Sequence, residues 1–250
     1  MLKAVLFDVD NTLIFFDEVK FIKAYIPLVA RRFTDLIPAD QFGDKLLSAT
    51  MEMHLNDGSM TNRERFLNFF CRGIEQYRDE VWQRFEKFYD EEFDSLKDVV
   101  AVHNDNRSIF LDLKERNLKI VIATNPIWPL NAQMIRLSWA GIADIGFDLV
   151  THIDNMTFCK PQIGYYREIL RIIDEKPEDC LMVGDDPVND VVVATIGMKT
   201  YLSVDSLDHV ESPLELSKHM SGRDIGGIPP ADFKGPLAKL SQAVNILSKS

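Results

Sequence analysis

Two aspartates one residue apart, Asp8 and Asp10, stand directly behind the apolar run Val5-Leu6-Phe7. In an extended segment, side chains two apart point the same way. Such a segment therefore crowds two anions into one small space beside a core. Alone, the pair also reads as turn capping, because Asp commonly closes strand ends and caps helices. Three more carboxylates, Asp185, Asp186 and Asp190, lie in GDDPVND, behind the apolar run CLMV. One acid there is a helix N-cap with Pro187 near the first helical position; three are not explained that way. Like charges at short range repel and raise each other's pKa. A hard divalent cation such as Mg²⁺ removes that difficulty, since it takes oxygen ligands from one or two carboxylates and from water.

Thr124 and Asn125 end a further apolar run, KIVIAT, and Lys160 sits in the loop CKPQ ahead of a helical segment. Each alone is an ordinary strand-end hydroxyl or surface lysine. Their meaning depends on the elements that carry them. Strand-like and helix-like segments alternate after residue 100. Helices are expected at 105–116, 130–140, 163–174 and 188–196, and strands at 119–124, 147–151, 180–184 and 199–203. This alternation predicts a parallel sheet with helices on both faces. In such a sheet the carboxyl ends of the strands share one edge, so all four groups of polar residues converge there.

Residues 16–100 have a different period. Val19, Ile22, Ile26, Val29, Phe33 and Leu36 repeat at helical spacing up to Pro38. Further helices are expected at 40–55, after the capping box Thr61–Glu64, and at 79–93. The organisation is therefore an α/β, Rossmann-like parallel-sheet core, residues 1–15 and 101–250, with an inserted all-helical cap domain, residues 16–100. Toward the end, Ser212-Pro213-Leu214-Glu215 forms a second capping box, GRDIGGIPP (222–230) reads as loop, and Leu237, Leu240, Val244 and Leu247 mark a last helix.

The chain of 250 residues carries a net charge of −11, with a pI of about 4.9. That argues against a nucleic-acid partner, whose affinity comes from Lys and Arg on phosphates. Three cysteines without C-x-x-C give neither a disulfide framework nor a zinc site, and Cys159 reads as a packing residue. No signal peptide or membrane span is recognised, so a soluble cytoplasmic protein is expected, with monomer and homodimer both open.

FDVDNTL, ATN, KP and GDDPVND, in this order, resemble the four signature motifs of the haloacid dehalogenase-like (HAD) hydrolases, in the branch with a helical cap. The resemblance implies an aspartyl-phosphate enzyme. Asp8 would be the nucleophile. Asp10 would be general acid and base, with its backbone carbonyl on the metal. Thr124 and Asn125 would bind the phosphoryl group, and Lys160 would pair with Asp8 and the phosphoryl oxygens. Asp8 and Asp185 would hold Mg²⁺, supported by Asp186 or Asp190. The expected activity is Mg²⁺-dependent hydrolysis of a small phosphorylated metabolite. A phosphomutase or other phosphotransferase, and a non-enzymatic binding protein on the same scaffold, are the alternatives. The cap residues Arg31, Arg32, Arg63 and Arg65 are read as solvated helix faces or substrate contacts. Phe66, Phe69 and Phe70 are read as cap core.

Overall fold

The computed structural model describes residues 1–102, 106–205 and 227–249. Strand β1 (Ala4–Phe7) sits in the middle of a six-stranded sheet with β4 (Lys119–Ile122), β5 (Leu149–Val150), β6 (Cys180–Gly184), β7 (Lys199–Ser203) and β8 (Phe233–Gly235). The order is β5–β4–β1–β6–β7–β8, and every pairing is parallel. All four residues of β1 and all five of β6 are buried, as expected for central parallel strands covered on both faces.

The pleat divides the two cores. Val5 and Phe7 pack with α5 (Asn106–Glu115) and the C-terminal helix α8 (Leu240–Leu247). Ala4 and Leu6 pack on the other face with α7 (Ile163–Ile173), whose Tyr165, Tyr166 and Ile169 are fully buried. Strand β8, which lies beyond the loop expected at 222–230, adds a sixth strand that the sequence pattern did not reveal. The expected capping box at Ser212–Glu215 lies outside the described residues.

Between β1 and the rest of the sheet come α1 (Glu18–Ala30), α2 (Ala39–His54), α3 (Asn62–Phe70) and α4 (Arg78–Glu91). Asp17 caps α1 by accepting from the Lys20 amide, and the Thr61–Glu64 capping box opens α3. The chain leaves and re-enters the sheet domain through a two-stranded antiparallel ribbon, β2 (Ile14–Phe15) with β3 (Ala101–Val102). The helical segment is tied down over the sheet edge. Amides of Asn62 and Arg63 donate to the Met156 and Ile153 carbonyls, and the Gln162 side chain donates to the His54 carbonyl. Buried Asn62 spreads its side-chain amide over Pro126, Phe158 and Cys159.

One element differs in type. Residues 191–196, expected within a helix, form a short 3₁₀ segment, Val191–Ile196. Its run VVVAT is β-branched and helix-poor. Asp186 also takes the Val188 and Asn189 amides into a local turn just before it.

Candidate active site

The turn behind β1 sets the site. The Asn11 backbone is left-handed at φ 55°, which Asn tolerates better than most side chains. The amides of Leu13 and Ile14 fold back on the Val9 carbonyl. Asp8 and Asp10 are thereby left at the carboxyl edge of the sheet, where both line one cavity of about 460 Å³ between the sheet and the helical segment. Asn125, Lys160, Asp185, Asp186 and Asp190 line the same cavity.

Lys160 is 2% exposed and stands between two carboxylates. Its Nζ donates to Asp8 Oδ1 and to Asp190 Oδ1, each at 2.7 Å. Burial alone lowers an ammonium's pKa, but here the Asp190 and Asp8 charges prevail and hold Lys160 well above the ordinary lysine value. The lysine comes from the loop before α7, and its amide is fixed by Asn125 Oδ1 at 3.0 Å. Asn125 therefore positions Lys160 through the backbone.

Asp190 comes close because residue 184 is Gly. A Cβ at Gly184 would lie 2.1 Å from Asp190 Oδ2. Asp186, one of the two acids left open as a support for the metal, instead closes its own loop. It accepts from the Val188 and Asn189 amides and from Asn189 Nδ2. Asp190 is the acid of the two that holds Lys160.

Oxygens of Asp8, Asp185 and Asp190 all lie within 4.8 Å of one another. Burial first, then mutual repulsion, raises the Asp185 pKa far above the carboxylate range. Burial, outweighing Lys160, raises that of Asp8. With all three ionised, the single Lys160 ammonium would leave two negative charges uncompensated, a state that the raised pKa values disfavour without a cation. The donor set, all carboxylate oxygen, fits a hard divalent cation.

Thr124 is fully buried, and its Oγ1 has no hydrogen-bond partner among the described residues. Its backbone is clamped from behind, because Thr151 and Tyr165 hydroxyls donate to its carbonyl at 2.7 and 2.8 Å. Thr124 is not itself part of the cavity wall. Cys159 is buried, with its thiol pushed above the ordinary value by burial, and packs under the loop.

Arg136 is the residue that sequence reasoning missed. It lies on α6 (Leu130–Trp139), is 1% exposed, and pairs through Nη2 with Asp10 Oδ1. Gln133 holds its other nitrogen at 2.6 Å, and its guanidinium lies 4.4 Å from the Trp128 ring centre. A signal was present in the sequence: Gln133 and Arg136 are the polar residues on the otherwise apolar buried face of the 130–140 helix.

None of the four cap arginines reaches the cavity wall. Arg32 pairs with Glu91 and Glu92, Arg63 with Asp154 and Arg65 with Glu52. Phe66, read as cap core, is buried and also lines the cavity, whereas Phe69 and Phe70 do not.

His54, at the end of α2, also lines the cavity, and burial depresses its pKa from 6.5 to about 4. The unfolded chain binds a proton between those values while the folded one does not. His54 therefore costs no stability above pH 6.5, and costs up to about 3 kcal/mol as pH falls through the window to 4. Urea unfolding of the His54→Gln variant should show a shallower loss of stability between pH 6.5 and 4 than wild type. Equal slopes would contradict a buried neutral His54.

A sequence profile of the haloacid dehalogenase-like hydrolases matches residues 2–194, and the chain belongs to this family. No curated protein matches it. Among solved structures, it resembles a HAD phosphatase from Thermococcus onnurineus at 20% identity and TM-score 0.56, covering 97% of this chain and 98% of that one. It also resembles a 2-haloacid dehalogenase from Pseudomonas syringae pv. Tomato DC3000 at 17% identity and TM-score 0.57, with 100% and 99% covered. The L-2-haloacid dehalogenase of Xanthobacter autotrophicus with chloropropionic acid covalently bound matches at 18% identity and TM-score 0.56, with 98% and 99% covered. Likenesses this distant establish the fold. Among the described residues, no helix is long and apolar enough to cross a membrane.

Proposed function

We propose that the chain is a Mg²⁺-dependent phosphatase that hydrolyses a small phosphorylated metabolite through an aspartyl-phosphate on Asp8. The observation that carries this reading is the pairing of two carboxylates at one sheet edge with separate partners: Asp8 on Lys160, Asp10 on Arg136. Two relatives in the fold comparison displace halide with an enzyme of this architecture. A halide leaves as a stable anion and needs no proton, so a general acid has no task in its departure. An alkoxide leaving from phosphorus needs one. The two negative charges left over when Asp8, Asp185 and Asp190 are all ionised likewise have a use where a dication accompanies a phosphate dianion.

In the first half-reaction an Asp8 oxygen attacks phosphorus, the bond to the leaving oxygen breaks, and a proton that Asp10 takes up from solvent on release from Arg136 passes to that oxygen. Arg136 then stabilises the carboxylate left on Asp10. In the second, Asp10 takes a proton from the water that attacks phosphorus, releasing inorganic phosphate and restoring Asp8. Lys160 opposes the burial that raises the Asp8 pKa and meets charge on the phosphoryl oxygens. Mg²⁺ on Asp8 and Asp185, when bound, would neutralise further charge on the phosphoryl group.

The direct test is hydrolysis of p-nitrophenyl phosphate by the purified protein. Release of nitrophenol with Mg²⁺ and its loss with EDTA are expected; no release, or release indifferent to EDTA, contradicts the proposal. Asp10→Asn should lower kcat on an alkyl phosphate by on the order of 10²–10⁴. The same variant should keep the thermal shift with Mg²⁺, and near-normal turnover would remove Asp10 from the mechanism. Mg²⁺ at about 100 times its Kd should raise the wild-type Tm by roughly 5–10 °C. Asp185→Asn should lose that gain, while its metal-free Tm stays close to that of metal-free wild type, because the raised pKa already leaves Asp185 protonated there. Equal Mg²⁺ shifts in both proteins would place the cation elsewhere.

A further inference from the structure

The cavity has two unlike ends. Carboxylates and Lys160 form the sheet end. Phe21, Leu46, Met51, Phe66, Trp82 and Phe85 are among the apolar side chains that the helical segment contributes to the opposite wall. Its volume of about 460 Å³ is roughly three times the ~150 Å³ that admits a benzene ring. The space therefore holds a phosphoryl group together with a ring-sized organic group.

The charges on the wall restrict that group. Among the described lining residues Lys160 is the single lysine or arginine, and both neighbouring carboxylates already hold it. Glu18 lines the cavity too, with its pKa raised by burial and by the Asp10 charge. A second anion on the substrate, a carboxylate or another phosphate, would meet aromatic rings and a glutamate with no cation to receive it.

The hydroxyl groups of the wall are also committed. Tyr25 and Tyr89 bond each other at 2.8 Å, and Thr50 Oγ1 donates to the Leu46 carbonyl at 3.0 Å. Sugar hydroxyls placed against the apolar side chains of the helical wall would be left unpaired. His54 lines the cavity, but its Nδ1 is buried and has no hydrogen-bond partner among the described residues.

We infer that the substrate is the phosphate monoester of an uncharged, predominantly apolar alcohol or phenol of one- or two-ring size, and that the helical segment selects against acid and sugar phosphates. This rests on the phosphatase reading above.

The test compares primary alkyl esters of similar intrinsic reactivity with the full chain and Mg²⁺: 2-phenylethyl phosphate, phosphoglycolate and glucose 6-phosphate. The kcat/KM for 2-phenylethyl phosphate is expected to exceed the other two by on the order of 100-fold. Comparable or better turnover of phosphoglycolate or glucose 6-phosphate overturns the inference and leaves the phosphatase reading standing. Should no ester be hydrolysed, the phosphatase reading fails, and binding decides the inference separately. Calorimetry should then show 3-phenylpropylphosphonate binding more tightly than phosphonoacetate by a similar factor; equal or reversed affinities overturn it. Met51→Lys, which places a cation on the apolar wall, should narrow the preference by at least about tenfold. A folded Met51→Lys variant with wild-type preference for 2-phenylethyl phosphate would also count against the assignment.

Discussion

Asp8→Asn is expected to lower kcat by on the order of 10⁴–10⁶, which corresponds to about 5.5–8 kcal/mol of lost transition-state stabilisation. An amide oxygen lacks the charge to attack phosphorus, and no neighbour can substitute. Asp190 is locked between Lys160 and the Asp186 amide. Asp185 lies further along the same cluster with a strongly raised pKa, owing to burial and then the Asp8 charge. Folding should survive the change, because Asn is isosteric and Lys160 keeps Asp190 as a partner. The metal-free variant should melt no lower than metal-free wild type, since burial of the Asp8 charge is already unfavourable. Steady-state kinetics with a matched thermal melt checks both parts. A folded variant retaining a tenth of the wild-type kcat would show that Asp8 is not the nucleophile.

Lys160→Met is expected to damage both folding and turnover. The ammonium is buried and makes two 2.7 Å ion pairs. Removing it leaves Asp8 and Asp190 facing each other without compensation, a change that costs about 3–5 kcal/mol when one partner of a buried pair is deleted. The loss in kcat should be on the order of 10²–10³, as for removal of one preorganised charge donor from a reacting oxyanion. The two effects are separable. Adding Asp190→Asn removes one of the stranded carboxylates and should restore most of the stability without restoring turnover. Denaturant unfolding of the two single variants and the double variant measures this coupling. Additive losses would mean that Lys160 and Asp190 do not act on each other, against the geometry.

The residues brought together at the sheet edge were largely recognisable from sequence because each follows a short apolar run. A short continuous apolar run makes a strand buried on both faces, and a parallel sheet brings strand ends to one edge. Lys160 is different. No local pattern places a loop lysine 2.7 Å from carboxylates 152 and 30 residues away, and only the fold does so. The choice between Asp186 and Asp190 was open because both sit in one seven-residue stretch. Asp186 precedes Pro187, and an acid before Pro starts a turn, which is the role it takes. Arg136 was hidden by its helix. Its polar head lies on a buried face, and the partner that makes this tolerable, Asp10, is 126 residues away. Strand β8 has three residues with half-buried sides, too short for any periodic signal. The aromatic character of the cavity was concealed for the opposite reason: a Phe such as Phe66 lines the cavity and fills the cap core at once, and helical spacing is the same for both.

The central claim is that Asp8 carries the phosphoryl group during turnover. Mass spectrometry of acid-quenched Asp10→Asn protein, mixed with Mg²⁺ and a phosphate ester, tests it most directly. Without the base for the second step, the peptide containing Asp8 should accumulate one phosphoryl group, and Asp8→Asn should accumulate none. Turnover of the ester by wild type, with no phosphoryl group on that peptide in the Asp10→Asn protein and undiminished activity in Asp8→Asn, would contradict the account.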